Sequence, residues 1–488
     1  MDVRDRQGPA RPHWKVKVNM SNSLRPLRSD GVDAALSAAA REAHRLEAVS
    51  HYNSLLEREN LTDFAHNLQE QMKTRGAVFG ERLMCPFLRP HFCGREQLDL
   101  LRTAVRGVVG ACNVLGPRIQ ESSVMQDFLG LSEDERRLCA VDPGYPEFSV
   151  TSRLDSFLLG GKVRFVEYNA ETPAGIGYND VMQDAFLATD VMKEFIRDFP
   201  CQPFYTSERL LKSLIDCYTT WGGIDKPVIG IIDYEGLPTR HEFEIFRRFF
   251  NSRGYQCVVA DPRKLDYDGE RLSFEGQTIN LVYRRLLTTE FLEHYDAAKP
   301  VWEAYRDRKI CMVNNFRAKY FHKKAIFAMI TDPKYQDGFS PEQLYSIYAH
   351  VPWTRKVADE STTDLEGKKV ELLDFIRKNR RQLVMKPNDE YGGKGIFVGW
   401  ELDESAWDAA IQPSLESYYL VQTRVEVSRE VYPTWDPEGT GVHWGEYTVD
   451  LDPFVFSGEV EGLLTRLSAT ALCNVTAGGG VVPTFILD

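Results

Sequence analysis

The stretch SVTSRLDSFLLGGKVRFVEYNAETPAG at 149–175 restricts the possible folds more than any other part of the chain. Two largely apolar runs flank Gly160 and Gly161, which predicts an antiparallel β-hairpin. Polar residues interrupt each run at alternate positions, and alternate residues of a strand point to the same face. The hairpin therefore presents polar side chains from both strands on one face of a sheet.

The length of the central turn sets which residues face each other across this hairpin. A three-residue turn at 160–162 pairs Leu159 with Val163, and the same register places Asp155 directly opposite Glu167. Opposed residues of an antiparallel pair have β-carbons about 5 Å apart. Two carboxylates at that distance repel each other unless a cation or a proton joins them. The register therefore predicts a cation-binding position, and an exposed, charged sheet face is the alternative.

The residues beside this acidic pair favour a divalent cation. Arg153 would lie opposite Asn169, on the same face as the two carboxylates. Carboxylate and amide oxygens are the ligands that Mg²⁺ prefers, and Mg²⁺ is commonly shared with substrate phosphates. We therefore predict that Asp155, Glu167 and Asn169 are metal ligands. Arg153 is a candidate catalytic residue, because a guanidinium beside such a site can stabilise a phosphoryl group in transfer.

A second segment, VMKPNDEYGGKGIFVGW at 384–400, places a lysine on a strand before a glycine-rich loop and another strand. A Walker A loop would continue into a helix, which this pattern does not predict. The backbone N–H groups of such a loop can form a nest for phosphate oxygens, and the lysine adds positive charge. The predicted phosphate-binding residues are Lys386, Gly392, Gly393, Lys394 and Gly395. A plain hairpin with a glycine turn is the alternative.

The N-terminal part of the chain differs from the rest in its periodicity. Residues 1–30 mix Arg, Pro, Ser and Asn without a pattern, which predicts a disordered tail. From Val32 to about Leu131 apolar residues recur every three or four positions, which predicts a helical region.

From Pro227 onwards, strand and helix patterns alternate. A strand, a helix that opens with a Thr239–Glu242 capping box and closes at Gly254, and a second strand predict a βαβ unit of a parallel sheet. Ligands gather at the carboxyl ends of such strands, so residues 233–235 are expected to face a cleft, or else to solvate a loop. A further helix is predicted from about 317 to 330.

The composition excludes several classes of protein. The net charge is -12 over 488 residues, which argues against nucleic-acid binding. The nine cysteines are scattered without a CxxC pair, which predicts neither a disulfide framework nor a zinc site. No apolar run approaches the length of a membrane span, and the N-terminus lacks the apolar core of a secretion signal. We therefore predict a cytoplasmic protein that acts on small molecules.

Together, the hairpin and the glycine-rich segment resemble the circularly permuted branch of the ATP-grasp superfamily, and are similar to the synthetase domain of glutathionylspermidine synthase. The Arg-x-Asp strand followed by Glu-Tyr-Asn-Ala-Glu-Thr-Pro matches that family at its own spacing. In this chain the glycine loop follows the metal strand by over two hundred residues, which is the permuted order. Weaker likenesses, such as YYLVQTRVEV and the C-terminal EGLLTRLSATALCNVTAGGGVVPTFIL, extend over most of 140–488. The chain lacks an amidase-like Cys/His unit.

The resemblance implies a Mg-dependent, ATP-dependent carboxylate–amine ligase that forms an amide through an acyl phosphate. ATP and two Mg²⁺ ions are the implied cofactors, with Asp155, Glu167 and Asn169 holding the metal. Gln422, Thr423 and Val425 would contact the adenine side of the nucleotide. Arg466 is a candidate catalytic residue that clamps the substrate carboxylate. Arg284 or Arg285 is a further candidate for binding that carboxylate, although each of the three could instead form a structural ion pair.

The same resemblance implies the architecture, an α/β fold (with α+β elements) of the circularly permuted ATP-grasp type. It has a Rossmann-like βαβ lobe and a helical N-terminal region. The expected segments are a tail (1–30), the helical region (31–140) and the ATP-grasp unit (141–488), the last divided into a metal-binding hairpin (141–200), a Rossmann-like lobe (205–300), an ATP-lid lobe (301–415) and an adenine hinge with a C-terminal cleft segment (416–488). A phosphotransferase and a non-catalytic nucleotide-binding scaffold on the same fold are the alternative functions.

Overall fold

The structure is a computed structural model that describes residues 29–80, 82–390, 393–436, 441–470, 473 and 479–488. The predicted disordered tail lies outside the described residues up to 28, and α1 begins at Ser29. Gly392 of the predicted phosphate loop also lies outside them. His44–Asp488 form one compact unit, and the described residues before His44 belong to a separate one. The finer domain boundaries stay a prediction.

The helices of the described chain alternate with short strands along most of its length. They are α1 (Ser29–Leu56), α2 (Leu61–Arg75), α3 (Arg95–Glu121), α4 (Ser123–Leu129), α5 (Glu133–Cys139), α6 (Ile176–Leu187), α7 (Asp190–Asp198), α8 (Ser207–Trp221), α9 (Arg240–Ser252), α10 (Thr288–Glu293), α11 (Lys299–Arg306), α12 (Lys319–His322), α13 (Ala325–Ile330), α14 (Pro341–His350), α15 (Leu372–Lys378) and α16 (Glu404–Glu416).

The strands are β1 (Val78–Phe79), β2 (Arg82–Leu83), β3 (His91–Gly94), β4 (Thr151–Leu159), β5 (Lys162–Asn169), β6 (Cys201–Pro203), β7 (Ile229–Ile232), β8 (Cys257–Ala260), β9 (Asp266–Tyr267), β10 (Leu272–Phe274), β11 (Gln277–Ile279), β12 (Leu281–Arg284), β13 (Cys311–Val313), β14 (Thr354–Lys356), β15 (Ser361–Thr363), β16 (Lys369–Glu371), β17 (Leu383–Pro387), β18 (Phe397–Val398), β19 (Tyr419–Thr423), β20 (Ser428–Asp436), β21 (Gly441–Phe456), β22 (Glu459–Ser468), β23 (Gly480–Val482) and β24 (Thr484–Leu487).

The predicted hairpin is the β4–β5 pair of an antiparallel sheet with the order β23-β22-β21-β4-β5, to which β20 adds along β21. Its turn has two residues, Gly160 and Gly161, and both have positive φ, as a type I′ turn requires. Leu159 therefore pairs with Lys162, and the predicted three-residue turn is wrong. A β-bulge between Asp155 and Ser156 restores the predicted register beyond it.

A parallel sheet with the order β13-β12-β7-β8 forms the second layer. β7, α9 and β8 are the predicted βαβ unit, since β7 pairs with β8 in parallel, and Gly254 has the left-handed conformation just after α9. The predicted capping box is wrong, because Thr239 makes no side-chain cap. Glu242 is fully buried and accepts hydrogen bonds from the backbone N–H groups of Gly175 and Gly177 instead.

A third sheet, with the order β14-β19-β17-β18, carries the predicted phosphate loop. β17 and β18 pair in antiparallel fashion on either side of that loop, as the pattern at 384–400 predicts. The sheet has its own buried cluster, formed with α15 and α16 around Trp353, Ile376 and Trp407. The lobe that carries the loop thus packs around a core of its own.

Helices dominate the predicted helical region, although the short strands β1–β3 interrupt it. α3 buries Leu101, Val105, Val108, Cys112 and Leu115, a spacing of three and four residues that keeps one face of a helix on the core. α3 and α14 approach closely: a β-carbon on Gly107 would lie 2.3 Å from that of Ser346.

The helix predicted over 317–330 is broken. A 3-10 turn at Phe316–Ala318 and α12 precede a break at Lys323, and α13 starts at Ala325. The backbone N–H of Lys324 donates to the carbonyl of Asn388 at 3.0 Å instead of continuing the helix. No cysteine of the described chain is joined to another in a disulfide. None of the described helices combines the length and apolar character that a membrane crossing requires.

Candidate active site

A cavity of about 1110 Å³ lies where the three sheets meet. It is lined by ten of the predicted site residues: Arg153, Asp155, Glu167, Asn169, Lys386, Gly393, Gln422, Thr423, Val425 and Arg466. Lys394 and Gly395 are described but do not line it. Residues that are far apart in the sequence thus share one cavity. Local sequence patterns do not predict this grouping, but the family resemblance does.

Asp155 lies at the centre of the hydrogen bonds on the floor of this cavity. It pairs with Glu167 across β4 and β5, as predicted. Its Oδ1 accepts from Arg153 Nε at 2.9 Å and from Asn169 Nδ2 at 2.8 Å, and its Oδ2 accepts from Arg466 at 2.7 Å. Burial alone would raise the pKa of Asp155, but Arg153 and Arg466 hold it well below its usual range. Asp155 is therefore ionised.

Arg466 contacts three carboxylates at once. One of its terminal nitrogens lies 2.7 Å from Asp155, 2.7 Å from Asp450 and 2.9 Å from Asp452. Asp450 and Asp452 are not among the predicted site residues, although they stand two apart on β21, as Arg153 and Asp155 do on β4. Burial raises the pKa of Asp450 and, more strongly, that of Asp452, while Arg466 opposes the shift.

This cluster has more negative than positive groups. Three carboxylates (Asp155, Asp450 and Asp452) face two guanidinium groups, those of Arg153 and Arg466, so one carboxylate lacks a matching cation. Asp450 Oδ1 is buried and has no hydrogen-bond partner among the described residues, and Asp450 lines the cavity. A buried carboxylate oxygen without a partner is costly, so this oxygen favours a proton or an added cation.

Glu167 lies opposite Asp155 in the hairpin, but its carboxylate forms an ion pair with a lysine. Lys324 Nζ lies 3.1 Å from Glu167 Oε1 and also donates to the carbonyl of Glu390 at 2.6 Å. Lys386 Nζ donates to Gln422 Oε1 at 2.9 Å. Burial lowers the pKa of Lys386 to about 8, although Glu167 acts in the opposite direction. Lysines therefore compensate the charge of Glu167 on the predicted metal strand.

The residues present fit a hard divalent cation. Asp155, Glu167 and Asn169 supply carboxylate and amide oxygens on neighbouring strands, and Asp450 adds an oxygen without a partner. Mg²⁺ prefers such oxygen ligands. No group of three or more His, Cys, Asp or Glu side chains in the described chain is placed to hold a metal by itself, so the amide of Asn169 or a substrate phosphate would have to complete the coordination.

One part of the cavity lining is largely apolar. Val384, Val398, Trp400 and Val425 line it, and the guanidinium of Arg424 lies 4.3 Å from the centre of the Trp400 ring. Gln422, which accepts from Lys386, also donates to Thr354 at 3.1 Å. An apolar slot beside lysine and glycine backbone suits a flat aromatic ring that carries phosphates.

The base of the phosphate loop is fastened to α12 and α13. Asp389 lies 2.7 Å from both Lys319 Nζ and Lys323 Nζ, and both lysines are buried. Asn388 accepts from the backbone N–H of Ala325 at 2.9 Å. These contacts fix the position of the strand from which the loop starts.

The two arginines at the end of β12 have different surroundings. Arg284 is 1% exposed, pairs with Glu171 and does not line the cavity, which favours the structural ion pair. Arg285 lines the cavity and pairs with Glu242 at 3.3 Å. Of residues 233–235, Asp233 lines the cavity and the other two do not.

No known family's sequence model matches the chain. A Frankia casuarinae protein named "Putative glutamate--cysteine ligase 2-2" is 25% identical over 232 residues, which cover 43% of this chain and 23% of that protein. The chain thus spans about a quarter of the length of this curated relative. A solved structure, a glutathione synthetase-like effector from Globodera pallida in its apo form, superposes with a TM-score of 0.52 at 11% identity, over 87% of this chain and 97% of the other.

The structural likeness confirms the predicted fold class. The chain has a mixed α/β fold that resembles the fold of this glutathione synthetase-like protein. The specific link to glutathionylspermidine synthase stays a prediction.

Proposed function

We propose that this protein is an ATP-dependent carboxylate–amine ligase that forms an amide bond through an acyl phosphate. The observation that carries the proposal is the shared cavity: an acidic, arginine-bearing hairpin, a glycine loop with its lysine, and an apolar slot all line it. The sequence similarity to a protein named as a ligase agrees with this activity.

In the proposed reaction, a substrate carboxylate takes the γ-phosphoryl group of ATP, and ADP leaves. An amine then attacks the acyl carbon, a C–N bond forms, and phosphate departs as the amine loses its proton. Such chemistry depends on positioning and charge neutralisation more than on a protein nucleophile. Arg153 would stabilise the transferred phosphoryl group, and Arg466 would hold the substrate carboxylate once it exchanges one of its three aspartate contacts.

The remaining predicted residues would bind the nucleotide. Lys386 and the loop from Gly393 would contact the phosphates, while Gln422, Thr423 and Val425 would line the adenine slot. Mg²⁺, held by Asp155, Glu167 and Asn169, would supply charge neutralisation for the phosphates. Lys324 now occupies that side of Glu167, so we expect it to turn towards the phosphates when the nucleotide binds.

The test is incubation with ATP, Mg²⁺ and a metabolite extract, followed by mass spectrometry. A ligase gives a product with the mass of acid plus amine minus water, and ADP release requires both substrates. Asp155→Asn should abolish this release, whereas Glu459→Gln should not, because Glu459 is half-exposed and pairs with Arg106 on the surface. A phosphorylated single acceptor would identify a phosphotransferase. Mg-ADP binding without any turnover would identify a scaffold.

A further inference from the structure

One end of the cavity lies at the carboxyl ends of two strands of the parallel sheet. β7 and β12 pair in parallel, with Ile232 beside Arg284, so Asp233 and Arg285 leave the two strands side by side. The backbone N–H of Arg285 donates to the carbonyl of Ile232 at 2.9 Å. This edge of a parallel α/β sheet is where ligands commonly bind.

The Nε–H group of Arg285 has no hydrogen-bond partner in the described chain. Its Nη1 donates to the carbonyl of Pro173 at 2.8 Å, and its Nη2 lies 3.3 Å from Glu242. Arg285 is 4% exposed, and its Nε is buried without a hydrogen-bond partner in the described chain. The buried hydroxyl of Thr172, the neighbour of Pro173, also has none. Both residues line the cavity, so two unsatisfied donors are available for an acceptor such as a carboxylate.

Asp233 is a buried carboxylate at the same end of the cavity. It is 7% exposed, and its Oδ1 accepts from the backbone N–H of Tyr234 at 2.8 Å. Among the described residues, no lysine, arginine or histidine forms an ion pair with it, because Glu242 takes the Arg285 charge. Burial raises the pKa of Asp233 to about 7, although Arg285 opposes the shift. A buried carboxylate without a cation is satisfied by an ammonium group.

We propose that this end of the cavity binds the amino-acid head group of a substrate, with its ammonium on Asp233 and its carboxylate on Arg285 Nε and Thr172 Oγ1. The inference deepens the proposed function and rests on it for the identity of the bound molecule as a substrate. Because Asp233 holds the ammonium in its charged form, the head group is recognised and does not react. The reacting group is at the other end of the molecule, towards Arg153, whose guanidinium reaches the same loop through the carbonyl of Ala174 at 3.1 Å.

The test measures binding of the standard L-amino acids, without nucleotide, by thermal melting and calorimetry. Each amino acid that binds is compared with two analogues, one without the α-amino group and one without the α-carboxylate. At least one amino acid should raise the melting temperature, and both of its analogues should fail to do so. No shift with any amino acid, or an equal shift with either analogue, overturns the proposal.

Two variants and a matched control locate the site. Asp233→Asn should weaken amino-acid binding roughly tenfold or more, since charge-assisted hydrogen bonds are the stronger ones, and Thr172→Val a few-fold. Glu235→Gln should change nothing, because Glu235 is exposed, pairs with Lys264 and lies off the cavity. Wild-type affinity in Asp233→Asn contradicts the proposal. The Mg-ADP melting shift, measured separately, should persist in all three; its absence from wild type counts against the ligase proposal and not against this site.

Discussion

Replacing Glu167 by glutamine separates a role in ligand binding from a role in folding. The substitution keeps the size of the side chain and removes its charge. In the ligand-free protein Glu167 pairs with Lys324 at 3.1 Å, and its side chain is 22% exposed. Ion pairs that retain contact with water contribute about 0.2–1 kcal/mol. Lys324 also keeps its contact with the carbonyl of Glu390, so the free energy of unfolding should fall by less than about 1 kcal/mol.

The effect on ligand binding should be larger. Ligand stabilisation equals RT ln(1 + [L]/Kd), which is about 2.7 kcal/mol when Mg-ADP is present at a hundred times its Kd. A hundredfold loss of affinity at the same ligand concentration leaves about 0.4 kcal/mol. Glu167→Gln should therefore lose most of the melting shift that wild type gains with Mg-ADP.

Thermal melting and urea unfolding, each with and without Mg-ADP, measure both quantities. Glu459→Gln is the control, since it removes a carboxylate from a surface pair with Arg106 and leaves the cavity unchanged. If Glu167→Gln melts much lower than wild type when ligand-free, yet keeps the full Mg-ADP shift, then Glu167 serves the fold through Lys324. The assignment of Glu167 as a metal ligand would then be wrong.

Four further outcomes are expected. Lys386→Ala should weaken ADP binding more than Lys394→Ala, because only Lys386 lines the cavity; equal dissociation constants would contradict this. ADP affinity should be retained below pH 8 and fall as the pH rises through about 8, because phosphate favours the protonated lysine and the pKa of ligand-free Lys386 is lowered to about 8; calorimetry at pH 7 and pH 9 checks the direction, and Lys386→Ala should flatten it. Gly107→Ala should destabilise the fold by about 1–3 kcal/mol in urea unfolding, since the new methyl group would overlap α14, whereas Gly110→Ala meets only the end of a flexible glutamine and should cost much less. Asp389→Asn should lower the free energy of unfolding by about 1–3 kcal/mol, because two buried lysines each lose a charge-assisted hydrogen bond while Glu135 still pairs with both; an unchanged urea midpoint would contradict this prediction.

Local patterns in the sequence predict the strands and their faces well, but they predict the turn poorly. The pairing of Asp155 with Glu167 is confirmed even though the predicted turn length is wrong, since the β-bulge beside Ser156 offsets the shorter turn. A bulge adds one unpaired residue to a strand, and no residue type in the hairpin sequence predicts one at this position. The correct pairing at the site therefore depends on two departures from the predicted hairpin, the shorter turn and the bulge, that cancel each other.

Where the sequence misleads, a distant partner decides the outcome. Thr239 and Glu242 have capping-box spacing, yet Glu242 bonds to the backbone at Gly175 and Gly177, over sixty residues away. The helix predicted over 317–330 breaks because the backbone N–H of Lys324 meets Asn388. In both cases a tertiary contact replaces a local hydrogen bond, and propensity or spacing within one segment carries no information about that contact.

The aspartates on β21 show what the sequence pattern predicts and what only the structure adds. Asp450 and Asp452 stand two apart on β21, as Arg153 and Asp155 do on β4, but only the structure shows that Arg466 joins both aspartates to Asp155. Because one carboxylate exceeds the guanidinium groups, the cluster needs one further proton or cation, and Asp450 Oδ1 is a buried oxygen without a hydrogen-bond partner in the described chain. The cluster can therefore keep the hairpin in place before any ligand arrives and still gain from binding one. That combination is expected of a preorganised binding site, whereas a purely structural ion cluster would match its charges internally.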